Sequence, residues 1–220
     1  MWFGTLDGIN RYDGYSFKVF RNKYNDPTSL PDDIITAINS DDLGNIWVGT
    51  QKGVGVYENK TLQFANVNYH VSNGTQLPVT NWVNAIQKDT KGNIYIGAND
   101  IGLLFCQSGS NEANRIPISG IAEKLSKHYS VTAMSSPYEG RIWVAITGLG
   151  LAFYDLRSRQ LILTNNDISS ATCITPDILG NLWIGTKHGL LHYDVKTKIV
   201  DKFDLGGPLE HGPYFQRYIR

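Results

Sequence analysis

The chain reads as short apolar stretches broken by glycine and polar turns, with no helical periodicity anywhere along it. One stretch recurs with a small residue at its centre: Ile35, Ala37 and Ile38; Val83, Ala85 and Ile86; Val131, Ala133 and Met134; Ala171, Cys173 and Ile174. That pattern fits a buried strand, and the small side chain suits a strand crowded against its equivalents around a central axis. At Asp41, Asp89 and Asp177 a DxxGN turn follows, in which Asp can accept from turn amides while Gly supplies positive φ. The hairpin returns as IWVGT or a variant of it. A GV or GL pair then opens a third strand ending in an aromatic, at Tyr12, Tyr57, Phe105, Phe153 or Tyr154, and Tyr193. A more polar fourth strand, as at 62–66 or 199–203, completes the unit.

Taking the aromatic of the second strand as marker, Trp2, Trp47, Tyr95, Trp143 and Trp183 are separated by 45, 48, 48 and 40 residues. The pattern divides the chain into a partial unit at 1–20, full units at about 34–66, 82–107, 130–163 and 170–204, and the start of another at 215–220. Four antiparallel strands repeated at this period predict an all-β fold, a β-propeller of four-stranded blades. A β-solenoid repeats over a much shorter length. The segment 119–127 is the one place where a helical turn is expected.

Composition narrows the function. Twenty Lys and Arg balance twenty Asp and Glu among 220 residues, which gives no support to a partner held by phosphate neutralisation, so no nucleic acid is expected. The most apolar window, 142–153, is too short and too rich in glycine to span a bilayer, and no membrane contact is expected of this segment. Its N-terminal residues show no signal peptide pattern. Cys106 and Cys173 are too few for a disulfide framework and lack the spacing of a metal or redox pair.

The repeat DxxGNxWxGTxxGLxxY, with the linker NDPTSLPDDIITAI at 25–38, resembles the two-component regulator propeller repeat. Four near-complete copies and one truncated copy cover almost the whole chain. The third full copy departs from the pattern, with Pro137 for Asp, Ala145 for Gly and one extra residue before Thr147; the second has Tyr95 for Trp and Ala98 for Thr. The resemblance implies the extracytoplasmic, periplasmic sensor part of a hybrid two-component histidine kinase, joined to further blades and domains of the same receptor and responding to an oligosaccharide or other small polar ligand. No kinase segment occurs in this chain, which is expected not to be an enzyme. Two other classes stay open: a propeller enzyme acting on polysaccharide, a lyase or glycosidase, or a protein-binding scaffold.

Candidate sites follow from where loops open on a rigid scaffold. The loops from strand two to strand three, together with the segments between blades, select Lys52, Asn99, Asp100, Lys187 and His188, and the long segment 66–82 adds Tyr69, His70 and Trp82. Asp41, Asp89 and Asp177 read as turn caps rather than a paired-carboxylate site, and the repeat aromatics as core. No catalytic residue, metal site or cofactor is expected; His188 and His192 do not share a helical face. The ends suggest a fragment: 216–220, QRYIR, reads as a further first strand. Either it pairs with 1–20 to close a five-bladed ring, or an open arc exposes two edges that invite self-association, for instance as a homodimer. The arc is expected.

Overall fold

In the computed structural model, residues 1–71, 74–121, 128–165, 167–168 and 171–203 are described. The expected strand at 216–220 and most of the expected helical turn, 122–127, lie outside them. The chain forms two compact units, 1–116 and 117–220. Among the described residues all regular structure is β, and no helix is long and apolar enough to cross a membrane.

The first unit holds three sheets. Strands β1 (Trp2–Gly4), β2 (Ile9–Tyr12) and β3 (Phe17–Phe20) make a three-stranded antiparallel sheet. The next blade is a plain meander of β4 (Ile35–Ser40), β5 (Ile46–Thr50), β6 (Gly53–Glu58) and β7 (Gln63–Asn66). The third sheet has six strands, because β8 (Asn68–His70) and β9 (Gln76–Pro78) add to β10 (Val83–Lys88), β11 (Ile94–Ala98), β12 (Gly102–Cys106) and β13 (Glu112–Ile116). The fourth strand of this blade therefore lies beyond the boundary at 107 that the repeat suggests. The second unit contains two four-stranded blades. Strands β14 (Val131–Met134), β15 (Arg141–Ile146), β16 (Gly150–Asp155) and β17 (Gln160–Asn165) precede β18 (Ala171–Pro176), β19 (Leu182–Thr186), β20 (Gly189–Tyr193) and β21 (Val200–Phe203).

Every first strand carries a bulge, and the bulge explains the small residue. Register slips between Ile35 and Ala37, Val83 and Ala85, Val131 and Ala133, and Ala171 and Cys173. After each slip the small residue faces Gly49, Gly97, Ala145 or Gly185 across the hairpin. A Cβ added at Gly49 would meet the Ala37 Cβ at 3.2 Å and Val83 of the next blade at 2.7 Å. Smallness is thus set by cross-strand and blade-to-blade contact, pair by pair.

Blades pack through their aromatics. Trp47 is buried among Val83, Ile86, Ile94 and Ile96 of the following blade, and Trp143 among Ala171, Ile174, Leu182 and Ile184. In the turns, Asp41 Oδ1 accepts from the amides of Leu43 and Asn45, and Asp89 and Asp177 repeat this arrangement. The blade with Pro137 closes its hairpin differently, on Glu139 and Gly140, both at positive φ, as a type I′ turn requires. There the Ser135 hydroxyl accepts from the Trp143 amide.

The linkers are structured too. Leu30 of the NDPTSLP segment is buried with Ile9, Ile35, Val48, Tyr57 and Phe64, while the Thr28 carbonyl accepts from the Phe64 amide on β7. The β8–β9 hairpin covers β13, with β8 running parallel to it, and Ser119 donates to the Leu161 carbonyl on β17. In three blades, then, the segment leading into the blade satisfies part of its outer edge, which would otherwise offer unpaired backbone to another chain.

Candidate functional site

Three of the loops from second to third strand lie where the chain enters the blade. The Gln51 amide donates to the Ile34 carbonyl, Asn99 to Trp82 and Thr147 to Ser130. Three of the second-to-third-strand loops are two-residue turns held by a threonine. Thr50 Oγ accepts from the Lys52 amide and donates to the Gly53 carbonyl; Thr186 does the same with His188 and Gly189, and Thr5 with Asp7 and Gly8. In the six-stranded blade the threonine is Ala98 and the loop is one residue longer, with Asp100 at φ 63°.

In the first unit the structure brings Trp82, Asn99 and Asp100 together. The indole of Trp82 is 40% exposed. Asn84, the bulge residue of β10, donates from Nδ2 to Asn99 Oδ1 at 2.8 Å, fixing the amide so that its own NH2 is turned away from Asn84. Asp100 is exposed on the turn tip. On the same end of the preceding blade, Lys52 Nζ contacts Asp32 Oδ1 at 3.1 Å. These groups offer amide donors and acceptors, a carboxylate, an ammonium and an exposed ring.

Tyr69 and His70 are placed elsewhere than expected. The segment 66–82 is not an open loop: both residues lie on β8, at the outer edge of the six-stranded sheet. There His70 Nε2 lies 3.4 Å from Glu112 Oε2 and from the Gln76 amide, and Tyr69 lies under the Arg115 guanidinium. Pairing of β8 with β13 removes them from the entry loops. In the second unit, Lys187 and His188 form an exposed two-residue turn. His192 faces inward instead, with Nε2 at 3.4 Å from Asp177 Oδ2 and its ring against Trp183. Burial raises the Asp177 pKa, but the amides of Leu179 and Asn181 and the His192 ring outweigh it and hold the carboxyl below the usual range. Burial pushes the Cys106 thiol up to about 12, so this cysteine is an inert core residue. Among the described residues no three His, Cys, Asp or Glu side chains converge as a metal site would need.

Two features escaped the sequence reading. Asn84 had no motif to mark it; its role comes from the bulge. A groove of 530 Å³ is lined by Asn22, Asp26, Leu30, Pro31 and Asn66, among others, along the NDPTSLP linker, whose apparent irregularity is held by Asn22 donating to the Leu30 carbonyl.

Comparison with known proteins places this geometry. Thirty residues are 50% identical to Histidine kinase P4 of Formosa agariphila, amounting to 14% of this chain and 2% of that protein. The extracellular domain of a one component system from B. thetaiotaomicron superposes with a TM-score of 0.70 at 23% identity, over 94% of this chain and 30% of its own. That of a hybrid two component system from the same organism gives 0.70 at 20% identity, over 91% and 28%. A streptogramin B lyase gives 0.63 at 12% identity, over 94% and 65%. The chain thus spans under a third of the two sensor structures, and these likenesses establish the fold, a propeller. Residues 29–52, in the linker and first hairpin of the β4–β7 blade, match the family model described as two component regulator propeller.

Proposed function

We propose that this segment is the extracytoplasmic ligand-sensing module of a hybrid two-component sensor histidine kinase and that it responds to an oligosaccharide. The observation that carries the reading is that the exposed Trp82 is tied through its carbonyl to the amide of Asn99, whose side chain is oriented by Asn84. A sugar presents an apolar ring face with hydroxyls around its rim. An exposed aromatic flanked by oriented amides complements both. The module binds its ligand without turning it over; further blades and domains of the receptor carry the signal.

The test is calorimetric titration of the chain against cello-, malto-, manno- and galacturono-oligosaccharides, with Trp82→Ala as the comparison. Binding of one class at micromolar to millimolar affinity, lost in Trp82→Ala, supports the reading. Binding unaffected by Trp82→Ala, or none across the panel, sinks it. Cleavage products seen by chromatography after incubation would point to the enzyme class instead.

A further inference from the structure

The loop that carries Asn99 and Asp100 lacks the device that closes three of its counterparts. In three blades a threonine at the end of the second strand bridges the turn. Thr5 Oγ donates to the Gly8 carbonyl and accepts from the Asp7 amide, as Thr50 and Thr186 do in theirs. With Ala98 no such hydroxyl exists, and the extra residue leaves Asp100 in the left-handed region, a conformation that L side chains with a Cβ adopt at a cost. Something else must define the turn.

It is Arg115, reaching from β13. Its Nε donates to the Ile101 carbonyl at 2.9 Å and its Nη2 lies 3.4 Å from the Asp100 carbonyl. The planar guanidinium thus addresses two successive carbonyls of the turn, a task for its fork of donors that a single ammonium cannot reproduce. Its other face is not free. The guanidinium carbon sits 5.9 Å from the centroid of the Tyr69 ring, and Tyr69 is held on β8 by pairing with Ala113. The inserted hairpin, which no other described blade has, therefore supports the arginine that shapes the turn. On the other side, Ile101 is 5% exposed and anchored in the core, and the Asn99 amide donates to the Trp82 carbonyl. Inside the turn the Ile101 amide donates to the Asn99 carbonyl, and among these anchors Arg115 is the long side chain that reaches in from another strand.

We propose that Arg115 is a positioning residue of the ligand site: it sets the 99–101 turn, and so where Asn99 and Asp100 stand relative to Trp82, with Tyr69 bracing it. The functional half of this rests on the oligosaccharide reading above, so two readouts are needed. The first is amide hydrogen exchange of residues 99–101 in the full chain without ligand. Arg115→Ala is expected to speed exchange there about tenfold, as loss of charge-assisted bonds worth more than about 1.4 kcal/mol does. Tyr69→Leu should give a smaller increase at the same amides, and Arg115→Lys should not restore protection. The second is titration with the same oligosaccharide panel, in which Arg115→Ala weakens binding about tenfold while exchange in β14–β21 is unchanged.

Unchanged protection at 99–101 in Arg115→Ala overturns the proposal, as does full protection in Arg115→Lys. Loss of protection with wild-type affinity overturns the functional half. If the wild-type chain binds no oligosaccharide, the functional reading fails and the exchange data still decide whether Arg115 sets the turn.

Discussion

The indole Nε1 of Trp47 donates to Asp41 Oδ2 across 3.1 Å, so the residue that closes the hairpin turn also fixes the aromatic that packs on the next blade. The same carboxylate accepts from the Leu43 and Asn45 amides and the Asn45 side chain. Asp41 is 8% exposed, and losing it would leave these donors unpaired in a partly dry site. Asp41→Ala should destabilise the chain by about 3 kcal/mol and Asp41→Asn by less, since one oxygen acceptor remains. Urea denaturation checks this; equal losses for the two variants would show that the hydrogen bonds do not set the cost.

A buried hydroxyl without a partner predicts the opposite sign. Among the described residues the Tyr57 hydroxyl is buried and makes no hydrogen bond, although its ring packs against Trp2, Phe20 and Phe64. Tyr57→Phe keeps the packing and removes the desolvated hydroxyl, so it should be neutral or stabilising by up to about 1 kcal/mol. At Tyr95 the hydroxyl donates to Asp89 Oδ2 at 3.1 Å, and Tyr95→Phe should cost about 1–2 kcal/mol. Denaturation of both variants beside the wild type tests the contrast, and a clear loss in Tyr57→Phe would contradict it.

The repeat, its strands and the turn caps were legible because each rests on local chemistry. An Asp before Gly-Asn, an aromatic six residues on and a glycine opening the third strand need no tertiary information. The proposed ligand end was legible only in part. Lys52, Asn99 and Asp100 follow from loop position, but Tyr69 and His70 went astray because pairing of β8 with β13 is decided between strands far apart in sequence. Asn84 and Arg115 are single polar residues in strands, and nothing in their neighbours' pattern marks them. Their roles arise from a bulge and from a reach across the sheet to Asp100 and Ile101.

Stability should also report the turn carboxylates through pH. Asp177 has its folded pKa held below the ordinary value, net of burial, which pushes it up, by the Leu179 and Asn181 amides and by His192. A depressed folded pKa means that the unfolded chain takes up the proton first. The contribution is therefore complete above the unfolded value of about 3.9 and drains away as pH falls through the lower folded value. Asp177→Asn should be less stable than wild type at pH 6, with the gap narrowing below about pH 4 and closing at lower pH. Thermal melts of both chains from pH 6 to pH 2.5 would follow it, and a gap that stays constant with pH would refute the assignment.

A close side-chain fit across one hairpin gives a prediction that can be tested by rescue. A Cβ placed on Gly185 would lie 2.5 Å from Cys173 Sγ, the residue facing it across the bulged hairpin. Sulfur at that distance must move, and its strand is tied down by five paired positions along β19. Gly185→Ala should therefore cost about 1–3 kcal/mol, as overpacking does in a well-filled interior. The neighbouring blade already holds the alternative, with Ala133 facing Ala145 at the same register, both nearly fully buried. Removing the sulfur should make room, so the double variant Cys173→Ala with Gly185→Ala should recover most of the loss. A double-mutant cycle in urea would then show a favourable coupling of about 1 kcal/mol or more between the two sites. Additive losses would mean that the backbone of β19, and not the Cys173 sulfur, is what excludes a side chain at position 185.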